Sequence, residues 1–234
     1  MTALEDPRWL ALSKERRDAL LEKHRDTNVH DEWWGSIYEM FVEDCAEKGI
    51  EVDTHTIRTV GGKRAQRHSI YFSGFWSQGD GACFDGKVIN WHKFLVACSR
   101  DDLVPMYKKL GHSLVLAWRH SGHYYHSGCT SFGHDLYVGN PFDEDGDDAL
   151  QYAAWDMVTE NGSIFENLED DFIKYVRSLM GGLYKLLEEE HDYLTSDEVV
   201  AEYILGYCEE ELVEEDDEEC PLEHRSFIYL RSVI

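Results

Sequence analysis

The chain has 234 residues, of which 43% are hydrophobic and 13% aromatic, and its formal net charge is −25. That length holds one large domain or two small ones, and so many aromatic side chains argue against a disordered chain. The charge argues against direct binding to nucleic acid or to a bare anionic membrane.

The charge is unevenly placed. Residues 1–134 hold 18 Asp and Glu against 17 Lys and Arg, whereas residues 135–234 hold 29 against 5, a net of −24. No stretch approaches the roughly 20 apolar residues that span a bilayer. Met1–Asp6 has neither the basic start nor the apolar run of a secretory signal, so a cytoplasmic protein is expected. Cys45, Cys83, Cys98, Cys129, Cys208 and Cys220 form no CxxC pair; reduced, packed thiols are expected rather than a cysteine zinc site.

In chain order, residues 1–48 read as helices, with Leu12, Leu20 and Leu21 set among charges. A helix from near Asp31 places Trp34, Ile37, Phe41 and Cys45 on one face, and Gly49 ends it. From residue 50 the pattern becomes β-branched. Ile50–Ile57 and His68–Trp76 read as strands flanking the Gly61-Gly62 turn, an antiparallel pair. Ser77-Gln78-Gly79-Asp80-Gly81 is a polar break before the apolar run Ala82-Cys83-Phe84. Residues 91–110 read as helical, with Asp101 as the cap of a second short helix. Strands are expected at Ser113–Arg119, His123–His126 and Asp135–Val138. The loop Asn140–Asp148 marks a boundary between a mixed core, 1–139, and an acidic, mainly helical region, 140–234, which packs on the core or stands apart.

In that region Ile164, Phe165, Leu168, Phe172, Ile173, Val176, Leu179, Met180, Leu183, Leu186 and Leu187 trace an apolar helical face. Thr195-Ser196-Asp197-Glu198 has the form of a capping box before Val199, Val200, Tyr203, Ile204 and Tyr207. Glu209–Glu219 is a nearly continuous acidic run, and Ser226–Leu230 reads as a last strand. The expected fold class is α+β: an antiparallel or mixed sheet with flanking helices and an acidic helical C-terminal region.

Four constellations bear on function. Ser77, Gln78, Gly79, Asp80 and Gly81 are a candidate binding loop, with Asp80 as acid or base; the competing reading is a turn in which Asp80 bonds its own backbone and glycines supply positive φ. His112, His120, His123, His126 and His134 crowd one segment with Cys129. They lack the ligand carboxylate and helical spacing of a zinc motif, so bonded or surface histidines are the better reading, and no metal or cofactor is assigned. Asp143, Asp145 and Asp147 imitate a calcium loop, but its sixth and twelfth positions are Asp148 and Ala154 instead of Gly and Glu. No nucleophile elbow is present; a spatial pair of Cys83 or Cys129 with a central histidine stays open, and no catalytic residue is assigned.

The fourth constellation is the acidic run. Apolar residues at helical spacing precede it up to Tyr207 and a strand-like segment follows it, so its carboxylates can form an ordered binding surface; the competing reading, of equal weight, is a solvated face without a specific role. Asp170, Asp171, Glu188, Glu189, Glu190, Glu209, Glu210, Glu211, Glu214, Glu215, Asp216 and Asp217 are the candidate partner-binding residues.

The segment Ile70-Tyr71-Phe72-Ser73-Gly74-Phe75-Trp76-Ser77-Gln78-Gly79-Asp80-Gly81-Ala82-Cys83-Phe84 resembles one that recurs in small phage, prophage and plasmid proteins, some loosely labelled antitoxins. The resemblance is direct over 70–84, extends in layout over 33–136, and implies a mobile-element origin but no chemistry. Three readings are carried forward. The first is an anti-defence inhibitor, of anti-CRISPR or anti-restriction type, that binds a basic nucleic-acid-binding surface of a host protein or nucleoprotein complex in the host cytoplasm, by mimicry of nucleic acid. The second is an antitoxin or regulatory protein neutralising a basic toxin. The third is a hydrolase-like enzyme using Asp80 and the central histidines. No membrane partner is expected, and the aromatic content suffices for a homodimer interface.

Overall fold

The computed structural model of the chain describes residues 2–105, 114–135 and 168–213. The expected loop 140–148, the calcium-like aspartates, the last strand and the carboxylates Glu214, Glu215, Asp216 and Asp217 lie outside the described residues. The fold is mixed α+β with antiparallel sheets. It divides into two units, one of residues 31–192 and one of residues 1–30 with 193–234. The expected border at 139/140 lies outside the described residues, and the division into units does not follow it.

In the unit 31–192, α3 (Gly35–Glu47) buries Ile37, Phe41 and Cys45 and ends on Lys48, with Gly49 at φ 78. Strands β1 (Ile50–Val52), β6 (Gly86–Val88), β7 (Val115–His120) and β8 (Thr130–Asp135) make an antiparallel sheet in the order β1-β6-β7-β8. Glu51 lies opposite Lys87 across β1 and β6, and their side chains pair at 2.7 Å.

The glycine turn joins β2 (Thr54–Arg58) to β3 (Arg64–His68), so the hairpin partner is Arg64–His68 and not His68–Trp76. The chain breaks at buried Ser69, whose N–H bonds Asp53 O at 2.7 Å. It then forms β4 (Ile70–Phe72), paired with β5 (Ala82–Phe84). Phe84 is fully buried between Phe41 and Trp118, at ring distances of 5.0 and 5.5 Å.

α4 (Trp91–Ala97) is shorter than the sequence suggests. Ser99 takes φ 58, Arg100 N–H closes on Leu95 O at 2.8 Å, and a 3₁₀ turn follows at Asp101–Leu103. Asp101 lies inside that turn and is not its cap. Residues 121–126 form bends and not the expected strand.

α5 (Leu168–Leu194) buries Leu168, Phe172, Val176, Met180, Leu183 and Leu187 at steps of four and three. Of the expected face, Leu186 is exposed and Ile173 and Leu179 are half-buried. Phe172 meets Phe94 at 5.3 Å and Trp91 at 5.9 Å; Thr130 Oγ1 donates to Met180 Sδ at 3.6 Å. Each such buried side chain is worth about 1.5–3 kcal/mol, which holds the helix on the sheet.

The other unit is helical among its described residues. α1 (Pro7–Leu10), α2 (Lys14–His24) and α6 (Asp197–Tyr207) surround Trp9, Leu12, Leu20, Leu21, Val200, Ala201, Ile204, Leu205 and Cys208. Ser196 caps α6 by accepting from Val199 N–H at 3.4 Å. Glu198 does not close the expected box. Its carboxylate accepts from Ala3 N–H at 2.6 Å, joining the two ends of the chain in this unit. Arg25 does the same through Thr195 O at 2.8 Å and Asp197 Oδ1 at 2.6 Å.

Candidate partner-binding site

The candidate loop spans the gap between β4 and β5. Ser77 N–H donates to Asp80 Oδ2 at 2.6 Å, and Asp80 N–H donates to Ser77 O at 3.0 Å. The Asp80 carboxylate is therefore a turn former, as in the competing sequence reading. Gly79 has φ 100, and a Cβ built there would lie 2.4 Å from Tyr124 Cδ1. One at Gly81 would lie 2.6 Å from His126 Cβ. The loop is small because the Tyr124–His126 segment is packed against its backbone.

This fixed loop lifts Trp76, which is 81% exposed. Its ring rests on Phe75 at 5.7 Å and on His191 at 5.3 Å. Phe75 in turn meets His191 at 5.0 Å, Tyr184 at 5.6 Å and Trp33 at 6.3 Å. Tyr184 and His191 come from the last turns of α5, so the loop and the acidic helix end share one aromatic patch. Burial, then the charges of Glu188 and Asp80, pushes the Tyr184 hydroxyl above its ordinary value. Both carboxylates thus act on the same ring. An exposed indole on an aromatic patch whose Tyr184 feels two carboxylates makes a surface for cations: the ring faces attract guanidinium or ammonium, and carboxylates pair with it.

The candidate carboxylates fall into different roles. Glu188 is exposed, Glu189 is exposed and pairs with Lys185 at 3.4 Å, and Glu190 is half-buried. Asp170 is exposed in the first turn of α5; Asp171 bonds Arg100 at 3.5 Å. Glu209, Glu210 and Glu211 belong to the other unit. There Glu209 pairs with Arg8 at 3.1 Å and Glu211 with Lys23 at 2.5 Å, while Glu210 is exposed. The carboxylates of Asp171, Glu189, Glu209 and Glu211 are partly neutralised within the chain.

The central histidines have local partners. His120 Nε2 meets Tyr124 O at 3.3 Å, and its ring lies against Tyr71 and Tyr125. Asp85 accepts from His120 N–H at 2.6 Å and from the Tyr71 hydroxyl at 3.1 Å. His134 pairs with Glu169 at 2.7 Å. His112 is outside the described residues. Among the described residues, none of these histidines joins a group of three metal-competent donors.

The spatial Cys–His pair is Cys129 with His126, 3.6 Å from Sγ to Nε2. Gly128 N–H donates to His126 Nδ1 at 3.0 Å. That assigns the neutral ring's proton to Nε2, which then donates to sulfur rather than taking its proton. The pair is arranged as a hydrogen bond and not as a base with its nucleophile. Burial pushes the Cys83 thiol up to about 12, which leaves it an inert packed group.

The residues that the acidic pattern did not single out are Trp33, Trp76, Tyr184 and His191. A signal for Trp76 existed: a tryptophan immediately before a polar glycine loop. Among the described residues, no helix is long and apolar enough to cross a membrane. No curated protein and no solved structure gives a significant match to the chain. A family model matches residues 33–197, which include the aromatic patch, and the chain accordingly belongs to the family described as Domain of unknown function (DUF8835).

Proposed function

We propose that this protein is a mobile-element-encoded inhibitor of host defence that binds a basic, nucleic-acid-binding surface of a host protein. One observation carries the reading: exposed Trp76 stands on Phe75 and His191, and Phe75 also packs on Tyr184, the ring reached by the charges of Asp80 and Glu188. Exposed tryptophans on fixed supports are typical binding anchors. The net charge of −24 over residues 135–234 supplies the long-range attraction to a basic partner. A surface that binds nucleic acid commits many Lys and Arg to phosphate, and carboxylates held on helices compete for them. The resemblance of residues 70–84 to phage and plasmid proteins supplies the biological setting.

The test is affinity purification from a bacterial host at low and high salt, followed by nucleic-acid binding assays on the captured protein. The proposal expects a basic protein, released by salt, whose nucleic-acid binding falls when this protein is added. A captured protein that keeps full nucleic-acid binding contradicts it. Recovery of a small basic toxin would replace the defence reading with the antitoxin one.

A further inference from the structure

We propose that His24, Cys208 and Glu211 form a zinc(II) site in the helical unit, with water as the fourth ligand. They come from two places in the chain: His24 is the last residue of α2, while Cys208 is the C-cap of α6 and opens the 3₁₀ turn Glu209–Leu212 that holds Glu211. Their donor atoms all lie within 4.8 Å of one another, and His24 Nε2 is 3.2 Å from Glu211 Oε1. Zinc with bonds of about 2.0–2.3 Å spaces tetrahedral ligands roughly 3.3–3.8 Å apart, so a shift of about 1 Å in the widest pair completes the geometry.

The donor set selects the metal. Thiolate and imidazole disfavour calcium and magnesium, which take oxygen ligands. One sulfur, one nitrogen and one carboxylate oxygen suit zinc, and three protein ligands leave one position open. The support is also present. Lys23 Nζ holds Glu211 Oε2 at 2.5 Å, leaving Oε1 turned toward His24, and Arg16 holds Glu211 O at 3.1 Å. Such outer partners orient ligand carboxylates.

Loading balances without redox change. The Cys208 thiol gives its proton to solvent and a Zn–S bond forms. Glu211 Oε1 exchanges its contact with His24 for the metal. The Nε2 proton that faced it is released to solvent while Nδ1 takes one up or keeps its own, and the freed Nε2 lone pair of the neutral ring binds zinc. The ion would clip α2 to the end of α6, beside the core that includes Trp9, Leu20, Val200 and Ile204. Because the site exists only in the folded unit, binding stabilises it. All three ligands lie outside the family match at 33–197, and the inference does not rest on the proposed function.

The test uses the full chain after dialysis against chelator, with zinc and then cobalt(II) as probes. One equivalent of zinc should bind and raise the melting temperature, and cobalt should give a thiolate-to-metal charge-transfer band. C208S should abolish the band, and E211Q should weaken affinity by about 10- to 100-fold. C129S should leave both readouts unchanged. Glu211 is only half-buried in a short turn, so E211Q stays informative if C208S folds poorly. Absence of stoichiometric zinc, a cobalt spectrum without the thiolate band, or binding indifferent to both C208S and E211Q would overturn the proposal.

Discussion

Trp76 and His191 stand edge to face with ring centroids 5.3 Å apart, which joins the glycine loop to the acidic end of the long helix. Trp76 gives little of its surface to the fold, since it is 81% exposed. W76A should therefore change the unfolding free energy, read from urea transitions, by less than about 0.5 kcal/mol. Against the partner it should cost about 2 kcal/mol, roughly 30-fold in Kd, measured by calorimetry.

Glu188 adds charge to the same patch, acting on Tyr184. E188K should lower affinity roughly tenfold at low salt, mainly through a slower association rate, and the difference should shrink as salt rises. Stopped-flow binding at two ionic strengths reads both effects.

The loop that carries Trp76 depends on Gly79. A side chain there meets Tyr124 at 2.4 Å and must adopt φ 100, so G79A should destabilise the chain by more than about 1 kcal/mol. G61A is the control, because a Cβ at Gly61 meets nothing within 4 Å. Denaturant unfolding of the two variants makes the comparison.

Phe172 fixes α5 on the sheet through Trp91 and Phe94 and is fully buried. F172A should cost about 3–5 kcal/mol, seen as an earlier urea transition. If it does not, the helix carrying Tyr184, Glu188 and His191 is held by other means.

The buried thiols and phenols set an alkaline limit. Burial raises Cys45, Cys83 and Cys98 to about 12 from 9.0, and Tyr38 and Tyr175 to about 12 from 10.0. Between pH 9 and 12 the unfolded chain has lost these protons while the folded chain keeps them. The unfolded state then binds fewer protons, so stability falls as pH rises through that window. Below the unfolded-state values these groups contribute no pH dependence. Urea midpoints should fall slightly from pH 7 to 9, where the unfolded cysteines begin to ionise, and more steeply from 9 to 10.5. A flat profile would show that these groups ionise within the fold.

Local pattern carried much of the fold. Ile37, Phe41 and Cys45 share a face because three- and four-residue spacing is a property of one helix, and the same holds for Leu168 through Leu187. The capping-box pattern over 195–198 marked the start of α6, whose cap is Ser196. Breaks in extended chain were not legible. Ser69 splits the run 68–76 because its backbone is claimed by Asp53, a tertiary bond that no alternation encodes. The break between the helix at 91–97 and the turn at 101–103 is made by Ser99 in a left-handed turn that serine rarely adopts, which the pattern of residues 91–110 did not mark. Glu198 fitted a capping box yet bonds Ala3 from the far end of the sequence. For the candidate site, the sequence marked Asp80 and Glu188 separately. Their meeting on Tyr184 follows from the packing of α5, and the pairing of Glu209 with Arg8 and Glu211 with Lys23 follows from the helical unit.

The central claim is that the Trp76 patch, flanked by Asp80 and Glu188, takes a basic partner surface. The most direct measurement is partner capture by wild type and by the W76A/E188K double variant, each at low and high salt. The account predicts capture by wild type that weakens with salt and at least 100-fold weaker binding by the folded double variant. Equal capture by both proteins, or capture indifferent to salt, would contradict it.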